Sequence, residues 1–149
     1  MNDPVSRLNG WQRVAVTEAP VARLATTRPD GRPHVVPVTF ALLAGAYADT
    51  LVTAVDAKPK RTTDLQRLRN VAANPAVSLL VDHYDGDWTR LWWVRLDGTA
   101  RVVVEGPERG DLLEHLVAKY EQYRDLPPEG PVVVIEVSTV VSWRGDAQP

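Results

Sequence analysis

The chain has 149 residues, a formal net charge of −2 and no cysteine. This length is typical of one domain, so we expect residues 1–149 to form a single unit. The small net charge provides no basic field that would attract nucleic acid or a membrane surface, and the lack of cysteine excludes disulfides and thiolate chemistry. Neither a leader nor an apolar membrane span is recognisable, and we therefore expect a cytoplasmic protein.

The first half of the chain predicts a short helix followed by three strands. Asp3 as N-cap and Pro4 at the first helical position predict a helix that includes Trp11. Apolar and β-branched residues then predict three strands, the first two joined by an Asp-Gly turn. These strands are expected at residues 21–27, 33–43 and 50–55.

The second of these strands contains a proline, which restricts where it can lie in a sheet. Pro37 has no N–H to donate to a neighbouring strand, so we expect the strand at an edge or locally irregular. Side chains alternate along a strand, which places Val36 and Val38 on one face and Pro37 and Thr39 on the other.

The second half predicts two helices and three further strands. The first helix has Thr63 as N-cap, Gln66 as its capping-box partner and its end at Asn74-Pro75, and Pro107 opens the second helix. The strands are expected at residues 76–81, 91–104 (one long strand, or two around Asp97-Gly98) and 131–143. Hairpin-connected strands with few helices predict an antiparallel barrel with helices packed outside it.

A basic segment lies directly before the first of these two helices. Lys58, Lys60 and Arg61 are clustered there, although the whole chain has only three lysines. Free N–H groups and the helix dipole make a helix N-terminus favourable for anions and unfavourable for cations, by about 0.3–1 kcal/mol per group. A bound phosphate would remove this repulsion, so the segment predicts a phosphate site, with an ordinary solvated loop as the alternative.

Other chemical signals are weaker. Trp92 and Trp93 are adjacent in a strand and point to opposite faces, so one of them is free to meet a partner surface or a ring system, unless both close the barrel. The histidines have no metal-ligand spacing, and neither a metal site nor a catalytic acid–base pair is expected. If the chain is an enzyme, a cofactor carries the difficult step and the protein positions it.

The order and spacing of these motifs resemble the pyridoxamine 5′-phosphate oxidase-like, FMN-binding split-barrel proteins. The similarity is carried by residues 22–38, by Lys60-Arg61-Thr62, and by residues 74–79, 91–100 and 137–145. It implies a mainly β fold with peripheral helices, namely a six-stranded antiparallel split β-barrel. It further implies a homodimer that holds each cofactor between two chains.

The resemblance also implies cofactor contacts, with the backbone of residues 36–39 along the ring and Lys60 and Arg61 at the phosphate. If the cofactor also carries an acidic tail beyond its phosphate, Lys58, Arg67 and Arg69 would provide positive charge nearby; the alternative is that they are ordinary solvated charges. The expected cofactor-binding residues are Val36, Pro37, Val38, Thr39, Thr53, Ala54, Lys58, Lys60, Arg61, Thr62 and Trp93.

The C-terminal segment narrows the implied function. Residues 142–146 read Ser-Trp-Arg-Gly-Asp, whereas the vitamin B6 enzymes end in a substrate motif with arginine and histidine. Together with Leu-Trp-Trp-Val-Arg at residues 91–95, this segment is similar to the actinobacterial subgroup that uses coenzyme F420. The resemblance implies an oxidoreductase that transfers hydride between the reduced deazaflavin and a small-molecule acceptor. An FMN-dependent oxidase or reductase and a non-catalytic cofactor-binding or storage protein are the alternatives.

Overall fold

A computed structural model describes residues 6–43, 49–55 and 62–146, with the backbone alone for residues 62–65. Seven strands within these residues form one antiparallel sheet. They are β1 (Ala22–Thr27), β2 (Pro33–Val38), β3 (Ala41–Leu42), β4 (Thr50–Ala54), β5 (Ala76–His83), β6 (Trp92–Val103) and β7 (Val132–Arg144). The helices are α1 (Gly10–Glu18), α2 (Thr62–Ala73), α3 (Pro107–Lys119) and α4 (Glu121–Asp125). None of these helices is long and apolar enough to cross a membrane.

The sheet curls until its two edges approach each other. The strand order is β2-β1-β5-β6-β7-β4-β3, so β2 and β3 lie at opposite edges. Only Thr39 and Phe40 separate these strands in the chain. Three Cα–Cα steps lead from Val38 to Ala41 and span at most about 11 Å, so the edges must lie close together.

The break at Thr39-Phe40 also explains the number of strands. Six were expected, with residues 33–43 as one, but this segment is divided into β2 and β3, and the count of six is wrong. The strand leaves one edge of the sheet before Thr39 and joins the other edge after Phe40. The expectation that Pro37 lies in an edge strand is confirmed.

Two apolar clusters fill the fold. The first lies inside the curl and includes Phe40, Leu24 and Leu96, with Val16 of α1 and Val71 of α2 packed against them. The second packs α3 and α4 against β3, β4 and β7 through residues that include Leu112, Leu116, Tyr123, Val52 and Val134. Helices therefore cover the sheet from several sides.

The first helix begins later than the sequence predicts. Asn9 is its N-cap: its side chain accepts from the Gln12 N–H at 3.0 Å, and the Gln12 side chain accepts from the Asn9 N–H at 2.8 Å. Ser6 to Asn9 are not helical, so the predicted helix start at Asp3-Pro4 is wrong for the described part of this segment. The reciprocal cap at Asn9 satisfies two N–H groups and fixes the start at Gly10.

The second helix begins at Thr62, directly after Arg61, and ends at Ala73 before Asn74-Pro75, as predicted. The predicted N-cap at Thr63 is wrong, because Thr63 is already helical. The Gln66 side chain bonds to Asn70 and Arg69 on the same helix instead of reaching back to form a capping box. The helix start at Pro107 is confirmed, and residues 91–104 form one long strand with a bulge at Asp97/Gly98.

Candidate functional site

A cavity of about 240 Å³ lies beside the edge strand β2. It is lined by Val21, Pro37, Val38, Thr39, Ala54 and Arg67. Pro37, Val38, Thr39 and Ala54 are four of the residues expected to contact a cofactor. The curl of the sheet brings them together. In one direction around the sheet four strands lie between β2 and β4, whereas in the other direction only Thr39-Phe40 and β3 link them.

The backbone after β2 forms one wall of this cavity. Val38 is buried in the core and Pro37 is exposed, as the alternation predicts, whereas Thr39, which follows the strand, is half-buried. Thr53, which is 2% exposed, does not line the cavity; its hydroxyl donates to the Thr39 carbonyl at 2.7 Å. Thr53 therefore supports the wall from behind, and its neighbour Ala54 lines the cavity.

Arg67 supplies the charged side of the cavity. It lies on α2 and is only 8% exposed, although arginine is rarely buried. The charge of Arg67 acts on His34. The pKa of His34 is lowered mainly by burial and further by the positive charges of Arg28 and Arg67. The His34 Nδ1 atom is buried without a hydrogen-bond partner. This corner of the molecule therefore favours anions and disfavours further cations.

A buried polar contact holds α2 in place. Asn70 is fully buried, and its Nδ2 atom donates to the Thr26 hydroxyl of β1 at 3.0 Å. Its Oδ1 atom accepts from the Gln66 side chain at 2.7 Å. Since residues three apart share a helix face, fixing Asn70 against β1 also directs Arg67 toward the sheet.

In the sequence, the predicted phosphate segment lies between residues that line this cavity. Lys58, Lys60 and Arg61 fall outside the described residues, and of Thr62 only the backbone is described. Residues 56–61 connect Val55 to α2, and both Ala54 and Arg67 line the cavity. A helix follows the basic segment as predicted, although it begins at Thr62 and not after Thr63. Phosphate binding stays a prediction.

Two expected contact residues lie elsewhere. Val36 is partly buried against the main core. Trp93 lies on the outer face of β6, opposite Asp82 of β5 and Trp143 of β7. Three strand spacings, about 14 Å measured along the sheet, separate β6 from β2.

The two adjacent tryptophans do point to opposite faces. Trp92 packs against the core and stacks with His83 at a ring distance of 6.3 Å, while Trp93 faces outward. Sequence reasoning left open which of them faces a cofactor. Within one chain, neither lines the cavity beside β2.

A second and larger cavity, of about 810 Å³, was not foreseen. It lies between α1 and the ends of β6 and β7, and its lining includes Trp11, Val14, Trp92, Arg90 and Arg144. The Arg144 guanidinium lies 4.8 Å from the centre of the Trp11 ring. No spacing rule links Trp11 to Arg144, so no sequence pattern indicates this cavity.

The outer face of the sheet carries exposed apolar side chains among ion pairs. Leu80, Val141 and the 48%-exposed Trp143 lie on this face. Arg23 pairs with Asp82 at 3.4 Å and Arg95 with Asp97 at 3.0 Å. This face therefore presents both apolar side chains and ion pairs to solvent.

Comparison with known proteins identifies the family and the fold. The family model described as pyridoxamine 5′-phosphate oxidase matches residues 12–144. No curated protein sequence is significantly similar to the chain.

Several solved structures share the fold. The conserved hypothetical protein Rv2991 from Mycobacterium tuberculosis is 22% identical, with a TM-score of 0.69 over 97% of this chain and 91% of that one. A FAD-binding protein from Mesorhizobium loti is 22% identical, with a TM-score of 0.67 over 91% and 94%. The heme storage protein HutZ from Vibrio cholerae is 14% identical, with a TM-score of 0.66 over 89% and 90%. At these identities the likeness shows the fold alone.

Proposed function

This chain belongs to the pyridoxamine 5′-phosphate oxidase family, and on that premise we propose that it binds coenzyme F420 and transfers hydride between this deazaflavin and a small-molecule acceptor. The observation that carries the proposal is the cavity beside β2. Four residues expected to contact a cofactor, Pro37, Val38, Thr39 and Ala54, meet there with the buried cation Arg67.

The lining fits one edge of a flat tricyclic ring. Val21, Pro37, Val38 and Ala54 offer apolar surface, and Thr39 and Arg67 offer polar groups. Ligand pockets are mostly apolar with a few polar groups that fix orientation. Small-molecule sites usually measure about 300–1,000 Å³, so the 240 Å³ of one chain holds only part of such a ring.

We propose that a second copy of the chain completes the site. The exposed outer face with Leu80, Val141 and Trp143 is the surface available for this contact. A homodimer would also bring Trp93, which lies on the same face, to an interface. Light scattering should then give about twice the 16.5 kDa mass of one chain, whereas a monomer that binds cofactor fully would contradict the dimer.

The phosphate belongs, in this proposal, to the segment before α2. Lys60 and Arg61 would meet it with Thr62 beside them, at the end of the helix where free N–H groups favour an anion. F420 carries an acidic tail beyond its phosphodiester, and Lys58 would lie on that side. Tail contacts are solvent-exposed, so each contributes about 0–1 kcal/mol and weakens with salt.

The protein contributes binding and orientation, and the bound cofactor would supply the hydride chemistry. Among the described residues that line the cavity there is no carboxylate, imidazole or thiol to act as a general acid or base. The wall residues would exclude water from one ring edge, and Arg67 would favour negative charge beside it.

The test is a paired fluorescence titration of the full chain with F420 and FMN, at low and at high ionic strength. We expect tighter binding of F420 at low salt and a smaller preference at high salt. Tighter binding of FMN at both would refute the F420 assignment and favour the FMN enzyme.

The double variant Lys60→Ala/Arg61→Ala locates the phosphate. A charge-assisted contact is worth about 1.5–3 kcal/mol, so affinity should fall at least tenfold for each residue. Arg90→Ala, an exposed arginine of the turn before β6, is the control. Binding of reduced F420 without turnover of any acceptor would favour the storage protein.

A further inference from the structure

We propose that Tyr120 and Tyr123 are positioning residues for the cofactor, because their hydroxyls hold Thr39, which lines the cavity beside β2, and Phe40, which follows it in the chain. This inference rests on the proposed function, since it concerns the same cavity. Tyr120 is the residue that joins α3 to α4, and Tyr123 lies in α4 itself.

Among the described residues, the backbone between β2 and β3 has no neighbouring strand to pair with. Thr39 and Phe40 lie between β2 and β3, outside every strand pairing. Backbone groups in the interior must nevertheless find hydrogen-bond partners. Here the partners are side chains.

Tyr120 forms hydrogen bonds with both backbone polar groups of Phe40, the N–H and the carbonyl. Its hydroxyl oxygen accepts from the Phe40 N–H at 3.1 Å, and its O–H points to the Phe40 carbonyl at 3.1 Å and the Pro20 carbonyl at 3.0 Å. One phenolic hydrogen is shared between these two carbonyls. Burial raises the pKa of Tyr120, so the hydroxyl keeps this hydrogen at neutral pH.

Pro20 links this hydroxyl to both cavities. Pro20 lines the 810 Å³ cavity, and the next residue, Val21, lines the cavity beside β2. Tyr120 therefore ties the start of β1 to the break between β2 and β3. Movement of its hydroxyl would change two walls at once.

Tyr123 holds the side chain of Thr39, a residue that lines the cavity. Its hydroxyl and the Thr39 hydroxyl are 2.7 Å apart, and the Thr39 carbonyl is held by Thr53. The rings of Tyr120 and Tyr123 pack edge to face at 5.6 Å, and the Tyr123 N–H donates to the Tyr120 carbonyl at 3.0 Å. The two phenols are thus fixed to each other as well as to the wall.

This arrangement implies that different residues bind the phosphate and the ring of the cofactor, which an experiment can detect. The basic segment before α2 would bind the phosphate, and the tyrosines would set the surface against which the ring lies. Loss of a tyrosine hydroxyl should therefore weaken binding of the ring whether or not a phosphate is attached.

The experiment compares Tyr120→Phe and Tyr123→Phe with Tyr84→Phe, whose ring is 74% exposed. Each full-length variant is titrated with F420 and with the deazaflavin chromophore that lacks the phosphate. A hydrogen bond contributes about 0.5–1.5 kcal/mol, so we expect about two- to tenfold weaker binding of both ligands by the same factor. Lys60→Ala should weaken F420 alone, and Tyr84→Phe neither.

Hydrogen exchange supplies a readout that does not need the cofactor. In Tyr120→Phe the Phe40 amide should exchange at least tenfold faster, with the amides of β6, which is paired on both sides, unchanged. If Tyr120→Phe does not fold, Tyr123→Phe, which removes a contact to a side chain only, serves in its place for the titration.

The outcomes separate the two claims. If the wild-type chain binds F420 or FMN and both tyrosine variants bind as it does, the positioning role is refuted and the proposed function stands. Equal loss for the two ligands supports the positioning role. If the wild-type chain binds neither cofactor, the proposed function fails and this inference fails with it.

Discussion

The β6–β7 pair and the break between β2 and β3 show two ways of holding a backbone. Every residue of β6 from Trp92 to Val103 has a partner on β7, and the register shifts only at the Asp97/Gly98 bulge. At Thr39-Phe40 the backbone depends on hydroxyls of Tyr120 and Thr53. The first region is held by the sheet itself, and the second by side chains from distant parts of the chain, which is also where the cavity lies.

The largest effect is expected in the self-paired region. A Cβ at Gly98 would overlap the backbone oxygen of Glu136, so Gly98→Ala must force β6 and β7 apart at the bulge. We expect a loss of at least about 2 kcal/mol in the free energy of unfolding, measured by urea denaturation.

Gly110→Ala is the matched control. Gly110 lies in α3 with no atom near its prospective Cβ, so this change should stabilise the chain by about 0.5–1 kcal/mol. Unchanged stability of Gly98→Ala would show that the β6–β7 pair is more compliant than its pairing indicates.

The next prediction concerns the side-chain-held region. Thr53→Val keeps the shape of a buried side chain but removes the hydrogen bond to the Thr39 carbonyl. Leaving this carbonyl without its donor should cost about 1–2 kcal/mol in urea denaturation. Thr139→Val on the exposed face of β7 should change little. Equal effects at the two threonines would contradict the distinction between the regions.

Lys119, the last residue of α3, packs against Phe40 in the same region. Its titration makes the stability of the fold depend on pH. Its Nζ atom lies 3.8 Å above the Phe40 ring and has no hydrogen-bond partner, and burial lowers the pKa of Lys119 to about 8. Between this value and its ordinary pKa of 10.5, the unfolded chain binds more protons than the folded chain. The contribution of Lys119 to stability must therefore rise with pH across that window.

Denaturation of Lys119→Met at pH 7, 8.5 and 10 tests this linkage. The stability of the variant relative to wild type should fall by about 1 kcal/mol as the pH rises, a value reduced for the partial exposure of the side chain. Lys119→Arg also lacks a group that titrates here and should show the same trend. A constant difference at all three pH values would refute the lowered pKa.

The smallest effect concerns the charge at the cavity. The pKa of His34 should lie below 6.5 because of burial and the charges of Arg28 and Arg67. Removal of one charge in Arg67→Met should raise it, as should an anion bound in the cavity. NMR titration of the His34 ring measures both changes, and a pKa that moves in neither case would place the His34 ring outside the field of the cavity.

Local patterns were sufficient for most of the fold. The Asp-Gly hairpin, the alternation in β2, the end of α2 before Asn74-Pro75 and the start of α3 at Pro107 follow from residues within a few positions of each other. The Asn9–Gln12 cap was equally local, but it was missed in favour of Asp3-Pro4. The division of residues 33–43 was not predictable, because it depends on Tyr120 and on β4.

The candidate site was predictable in part for the same reason. Pro37, Val38, Thr39 and Ala54 came from the family resemblance, and the structure brings them to one cavity. Arg67 was named only as an auxiliary charge, because nothing in its neighbourhood indicates that α2 is fixed by Asn70 against Thr26. Burial of a charge is a tertiary property, and local sequence does not reveal it.

The most direct test of the account compares Arg67→Met with Arg69→Met in a fluorescence titration with F420. Both arginines lie on α2, but Arg67 is buried at the cavity, whereas Arg69 is exposed and bonds to Gln66. With folding of both variants verified by urea denaturation, we expect Arg67→Met to bind at least tenfold more weakly and Arg69→Met to lose no more than about fivefold. Wild-type affinity in a folded Arg67→Met chain would show that the cofactor does not occupy this cavity.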